Sequence, residues 1–126
     1  MKIAAIAVTS RNIPETVKFY TLLGFKFKSF KDTEQHLEPI TPEGSARLMI
    51  DTVEMVESIL GYKPKPSNHS NFAIEYNSAK EVNEVAKKLE AAGYVLVKNP
   101  WDAFWGQRYC VVKDPDGYLL DLYARH

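Results

Sequence analysis

The order of elements in this chain of 126 residues occurs twice, and that repetition restricts its fold more than any other feature. Leu22-Leu23-Gly24-Phe25 is answered by Ala91-Ala92-Gly93-Tyr94, and Pro42-Glu43-Gly44 by Pro115-Asp116-Gly117. In the first half, residues 3–8 are an apolar, β-favouring run. Asn12 then offers an N-cap, Pro14 sits where a missing N–H costs nothing, and Val17, Tyr20 and Leu23 keep helical spacing until Gly24 stops it. Strands are expected over 25–30, 35–39 and 47–51, then a short helix over 52–60 and a linker over 61–68. The second half opens with a strand over 72–76. Ser78 and Glu81 form a capping box for a helix through Val82, Val85, Ala86 and Leu89 that ends at Gly93. Strands over 94–97, 109–113 and 118–123 complete it. Each half is a βαβββ unit too small to bury its own sheet, so the two are expected to pack together. The reading is one α+β domain with pseudo-repeats 1–60 and 69–126, a cupped mixed sheet and helices on its outer face.

Composition narrows the partners. Sixteen basic residues balance sixteen acidic ones, which argues against nucleic acid, since a polyanion calls for a basic face. No run approaches the ~18 apolar residues of a membrane span. The apolar N-terminal stretch is short for a signal peptide, so the cytoplasm is the expected location. The single cysteine, Cys110, excludes an intrachain disulfide and reads as a packed core thiol on a strand.

Two motifs carry a family resemblance. Thr16-Val17-Lys18-Phe19-Tyr20 with Leu23-Gly24-Phe25, and the closing run from Lys113 through Asp114-Pro115-Asp116-Gly117 to Leu122, resemble the vicinal-oxygen-chelate superfamily of glyoxalases, bleomycin-resistance proteins and extradiol dioxygenases. The likeness covers essentially the whole chain. Asp51-Thr52-Val53-Glu54 and Trp105-Gly106-Gln107-Arg108-Tyr109 further resemble the antibiotic-binding members, notably the mitomycin- and bleomycin-binding resistance proteins. That resemblance implies a homodimer whose clefts hold a drug without transforming it.

Enzymes of the superfamily hold a divalent metal with four side chains, commonly His or Gln, Glu, His and Glu. Carried over one at a time, the positions fall on Ala5, on Met49 (or Leu48 by the internal repeat), on Asn71 and on Asp121. Alanine and an apolar residue ligate no hard or borderline cation, and asparagine replaces imidazole poorly. No metal or other cofactor is therefore expected. His69, two residues before Asn71, could reach the site through a local bulge or simply belong to a solvated linker; His36 and His126 are weaker candidates.

Period-2 alternation assigns the sheet faces. Ile6, Val8, Leu48, Ile50, Phe72, Ile74, Tyr76, Leu120 and Leu122 are expected against the helices. The opposite face then carries Arg47, Met49, Asp51, Asn71, Ala73, Asp121 and Tyr123. Asp51 and Asp121 need partners there, and Arg47 is the expected partner of Asp51. Residues 100–106, with Trp101, Phe104 and Trp105 between Pro100 and Gly106, read as an aromatic loop too apolar to stay uncovered. A planar ligand stacked on Trp105 and Trp101, or a second copy of the chain, would cover it. Phe30, Gln107 and Tyr109 complete the expected ligand set. The leading expectation is a metal-free dimeric binder of a planar, partly apolar, antibiotic-like molecule. The alternatives are a metal-dependent lyase, epimerase or dioxygenase, and a structural dimer with a vestigial cup.

Overall fold

The computed structural model describes residues 1–125; His126 lies outside them. The described chain divides into two compact units, Met1–Lys65 and one beginning at Pro66.

In the first unit, β1 (Ala5–Ser10) leads into α1 (Ile13–Leu22), followed by β2 (His36–Leu37), β3 (Arg47–Thr52) and α2 (Val53–Leu60). The sheet order is β1-β3-β2, with β1 and β3 parallel and β2 antiparallel to β3. Asn12 caps α1 as expected, its Oδ1 accepting the Glu15 amide at 3.1 Å. The buried hydroxyls of Ser10 and Thr16 hydrogen-bond each other and tie α1 to the end of β1. At the far end of α1 the Phe25 amide donates to the Tyr20 carbonyl at 3.1 Å, and Gly24, at φ +113°, makes the left-handed turn this geometry requires. Thr52 ends β3 and caps α2, accepting the Met55 amide at 3.2 Å.

The second unit holds β4 (Ser70–Glu75), α3 (Ala79–Ala91), β5 (Val95–Ala103), β6 (Gln107–Lys113) and β7 (Leu119–Arg125). Its order is β4-β7-β6-β5, with β4 and β7 parallel and the other pairs antiparallel. Helix α3 packs on β5, β6 and β7. The capping box forms, though with a one-residue shift: the Ser78 hydroxyl accepts the Glu81 amide at 3.2 Å, while Glu81 reaches back to the Asn77 amide at 3.3 Å. Asp114 is buried, and its Oδ1 accepts the amides of Asp116 and Tyr118, both at 2.9 Å, which closes the turn before β7.

The face assignment holds where it matters for the core. Val8, Leu48, Ile50, Leu120 and Leu122 are buried, joined by Phe19, Tyr20, Val82, Leu89 and Val112. In the second unit Cys110 is buried as well, and burial pushes its thiol pKa up to about 11, as a packed core thiol requires.

Three strand expectations need correction. Residues 25–30 alternate Phe and Lys like a strand, yet they make only one bridge, Lys26 to Ile40. The segment they would pair with contains Pro39, which has no N–H to donate, so only the Ile40 amide reaches across, to the Lys26 carbonyl at 2.8 Å. For the same reason the strand expected over 35–39 shrinks to His36–Leu37. The strand expected to end at 97 instead runs on to Ala103, so the supposed aromatic loop is the tip of a β-hairpin. Two register shifts, between Leu96 and Lys98 and between Lys98 and Trp101, let β5 pass through Pro100.

Candidate functional site

Each unit presents a polar group on its sheet. In the first unit the antiparallel register sets His36 opposite Asp51. The ring Nδ1 meets Asp51 Oδ1 at 2.5 Å and the ring Nε2 meets Glu38 Oε2 at 2.8 Å. Arg47 then donates from Nε to Glu38 Oε1 at 2.8 Å and from Nη2 to Oε2 at 3.3 Å. The result is a linear chain, Asp51–His36–Glu38–Arg47, with charges alternating when the imidazole is protonated. Glu38 first and Asp51 second raise the His36 pKa above its ordinary value, while Arg47 first and His36 second lower that of Glu38. Arg47 was expected to pair with Asp51 and does not. Arg47 and Asp51 stand four residues apart on β3, a separation of ~13.6 Å along a strand, whereas a cross-strand neighbour lies at ~5 Å, so Asp51 takes His36 and leaves Arg47 to Glu38. Sequence reasoning missed this role for His36 and Glu38, although their spacing in Gln35-His36-Leu37-Glu38 places both on one face of a strand.

In the second unit the corresponding group is aromatic. Trp101, Tyr109, Tyr123 and Glu75 are successive register partners across β5, β6, β7 and β4. Tyr109 and Tyr123 stack with centroids 5.8 Å apart and planes at 17°. Trp101 meets Tyr109 edge to face at 5.3 Å, and Trp105 meets Tyr109 at 5.4 Å and Trp101 at 6.1 Å, also edge-on. Gly106, at φ +90°, closes the hairpin and lets Trp105 fold back over the row. The Trp105 indole N–H donates to Gln107 Oε1 at 2.8 Å. Trp105 is 49% exposed and Phe104, packed on it at 5.0 Å, is 98% exposed. Below the aromatic row, Asp121 accepts from the Tyr109 hydroxyl at 2.7 Å and from the Ser70 hydroxyl at 2.6 Å. Desolvation, then this hydrogen bond, raises the Tyr109 pKa well above the ordinary phenol value, so the hydroxyl is held as a donor.

The hairpin and its strands thus bring Trp101, Trp105, Gln107, Tyr109, Asp121 and Tyr123 together in the second unit, and Asp51 and Arg47 share the charged chain of the first. Phe30 belongs to neither group: it lines a groove of the first unit between α1 and the segment after it. Ser70 escaped the sequence reading because its partner lies 51 residues away.

The would-be metal positions do not fit the family's ion. Ala5 offers a methyl group, and the Met49 thioether takes the Arg47 Nη2 at 3.8 Å. Asn71 is exposed at the register shift between Ser70 and Phe72, and both oxygens of Asp121 already accept hydroxyl donors. A bulge is present beside His69, but it brings Ser70 to Asp121; His69 is exposed, with Nδ1 3.2 Å from the Ser70 carbonyl. Among the described residues, no group of three or more His, Cys, Asp or Glu side chains is arranged to hold a metal ion.

A family model described as the glyoxalase/bleomycin resistance protein/dioxygenase superfamily matches residues 2–122. No curated protein matches the chain in sequence. Solved structures show the same fold at low identity. A glyoxalase/bleomycin resistance protein/dioxygenase family enzyme from Burkholderia phytofirmans superposes with a TM-score of 0.82 at 17% identity, over 100% of both chains. A glyoxalase-related enzyme from Fulvimarina pelagi gives 0.83 at 18%, over 99% of this chain and 88% of that one. A glyoxalase/bleomycin resistance protein/dioxygenase from Nocardioides gives 0.71 at 19%, over 99% and 83%. With the family model spanning both units, the chain belongs to the glyoxalase/bleomycin resistance protein/dioxygenase superfamily.

Proposed function

We propose that the chain is a binding protein that holds a planar, partly apolar small molecule of antibiotic type without transforming it, working as a homodimer in the cytoplasm with no metal or other cofactor. The observation that carries this reading is the hairpin tip. A half-exposed Trp105 and an almost fully exposed Phe104 stand on a row of packed rings. The polar end of Trp105 is already committed to Gln107, so it offers a partner a bare π face. The rings meet edge-on, so a planar ligand would lie against the Trp105 face, with the second copy supplying the opposite wall of an interfacial cleft. Face-to-face or edge contact with such a ring contributes roughly 0.5–1.5 kcal/mol beyond area burial. Tyr109, Asp121 and Tyr123, all of the second unit, would orient the ligand's polar groups. The four family positions lack the donor set that Lewis-acid or redox chemistry needs, which favours binding over turnover.

Both tryptophans of the chain are Trp101 and Trp105, so intrinsic fluorescence reports on the hairpin alone. Titration with an uncharged planar antibiotic such as mitomycin C is expected to quench it saturably. Trp105→Ala should weaken that binding about tenfold, the equivalent of about 1.4 kcal/mol. Native mass spectrometry of protein purified without chelator checks the rest. One tightly held divalent metal per subunit would overturn the reading in favour of a metal-dependent enzyme.

A further inference from the structure

The groove that receives Phe30 has a chemistry of its own. It lies in the first unit between α1, which contributes Val17, and the segment 25–30, and its volume is about 670 Å³, within the range of small-molecule sites. Along that segment the side chains alternate: Phe25, Phe27 and Phe30 are half-buried, while Lys26 and Lys28 are exposed. Phe25 is anchored, since its amide is tied to Tyr20 and its ring packs on that tyrosine at 5.9 Å. The floor is therefore three phenyl rings and the Val17 side chain, and the exposed rim is made of Thr21, Ser29 and the two lysines. No acidic residue lines it. The chain as a whole is neutral, so this local excess of positive charge is a property of the groove and of no wider field.

We infer that this groove binds a small amphipathic carboxylate, with its acyl or aryl body laid on Phe25, Phe27 and Phe30 and its carboxylate held by Lys26 and Lys28. Charge decides between occupants. A second copy of the chain docking through the same edge would bring Lys26 and Lys28 against their own counterparts, and like charges facing each other across paired strands destabilise. A cationic amphiphile meets the same repulsion. An anion with an apolar body satisfies both the rim and the floor, and lysine's flexible stem lets the ammonium follow a head group without a fixed geometry. The site is independent of the hairpin in the second unit, so either can fail without the other.

The test uses the intact chain with dodecanoate and dodecyltrimethylammonium, both kept below their critical micelle concentrations, followed by amide chemical-shift mapping. Dodecanoate is expected to bind saturably and to shift amides of residues 17–30. The cationic amphiphile should bind at least about tenfold more weakly. The double variant Lys26→Glu/Lys28→Glu, at exposed positions that leave the core intact, should lose dodecanoate affinity about tenfold, with an unchanged far-UV spectrum. Equal affinity for the two head groups would overturn the inference. So would shifts confined to residues 101–109, or partition onto phosphatidylglycerol vesicles without binding of monomeric dodecanoate.

Discussion

At the residue scale, the charged chain through His36 ties the stability of the first unit to pH. The His36 pKa is raised above the ordinary 6.5 by hydrogen bonds to Glu38 and Asp51. The sign follows from the direction. A raised histidine contributes stability that is fully present below its unfolded pKa and is lost as pH rises through the folded one. Glu38, lowered from 4.5 by Arg47 and His36, contributes the opposite limb, present above its unfolded value and lost in acid. The charged chain should therefore stabilise the first unit most between those two limits. Urea midpoints for the parent and His36→Gln should differ at about pH 5.5 and converge at about pH 9, and an NMR titration should place the His36 midpoint above 6.5. A difference that grows with pH would contradict the pairing. Cys110 supplies a second prediction. Buried and pushed up to about 11, it should react with iodoacetamide near neutral pH at least about a hundredfold more slowly in the folded chain than in urea. Of the candidate residues, the density of rings around Trp101 and Trp105 was legible as three large aromatics in seven residues, although Phe104 and Trp105 stay open and Phe30 lies in the other unit. The partner of Asp51 was not, because pairing across strands depends on a register that one sequence does not display.

At the scale of elements, caps were read more successfully than strand lengths. Asn12 and Ser78, both read as caps, each accept an amide three residues on, and such caps are local facts; Thr52, read as the first residue of a helix, also caps one. Strands depend on a distant partner. The Phe/Lys alternation over 25–30 is a sound strand pattern with nothing but Ile40 to pair against, and Pro100 suggested a loop where two bulges keep a strand intact. The hairpin tip depends on backbone shape as much as on its rings. Gly106 sits at φ +90° with open space where a Cβ would go, so the cost of Gly106→Ala is conformational rather than steric crowding. It should destabilise the second unit by about 1 kcal/mol, read as a lowered urea midpoint of tryptophan fluorescence, with a change in emission as Trp105 loses its seat beside Gln107. An unchanged midpoint would mean that the tip adopts another turn.

At the scale of the whole molecule, the duplication was plain in the sequence, and the strand order of the second unit repeats in the first with its outer strand reduced to one bridge. Both units leave apolar side chains in the open: Phe104 and Trp105 in the second, Ile59 and Leu60 on α2 in the first. Exposed apolar side chains of this size favour association. If the hairpin tip forms the contact between copies, Phe104→Ser should shift sedimentation from dimer towards monomer at fixed concentration, whereas Ile59→Ser should not; the reverse result would move the contact to α2. The bulges in β5 have one more consequence. From Leu96 to Trp101 the strand takes five steps while β6 takes three from Val112 to Tyr109, so β5 carries two surplus residues. That slack makes the stretch 97–100 a length reserve. Removing one of its residues would flatten a bulge and leave Trp101 opposite Tyr109, whereas β6, paired with β7 without a break from Gln107 to Lys113, has no slack, and a single deletion there would turn Cys110 outward and the tyrosine row in.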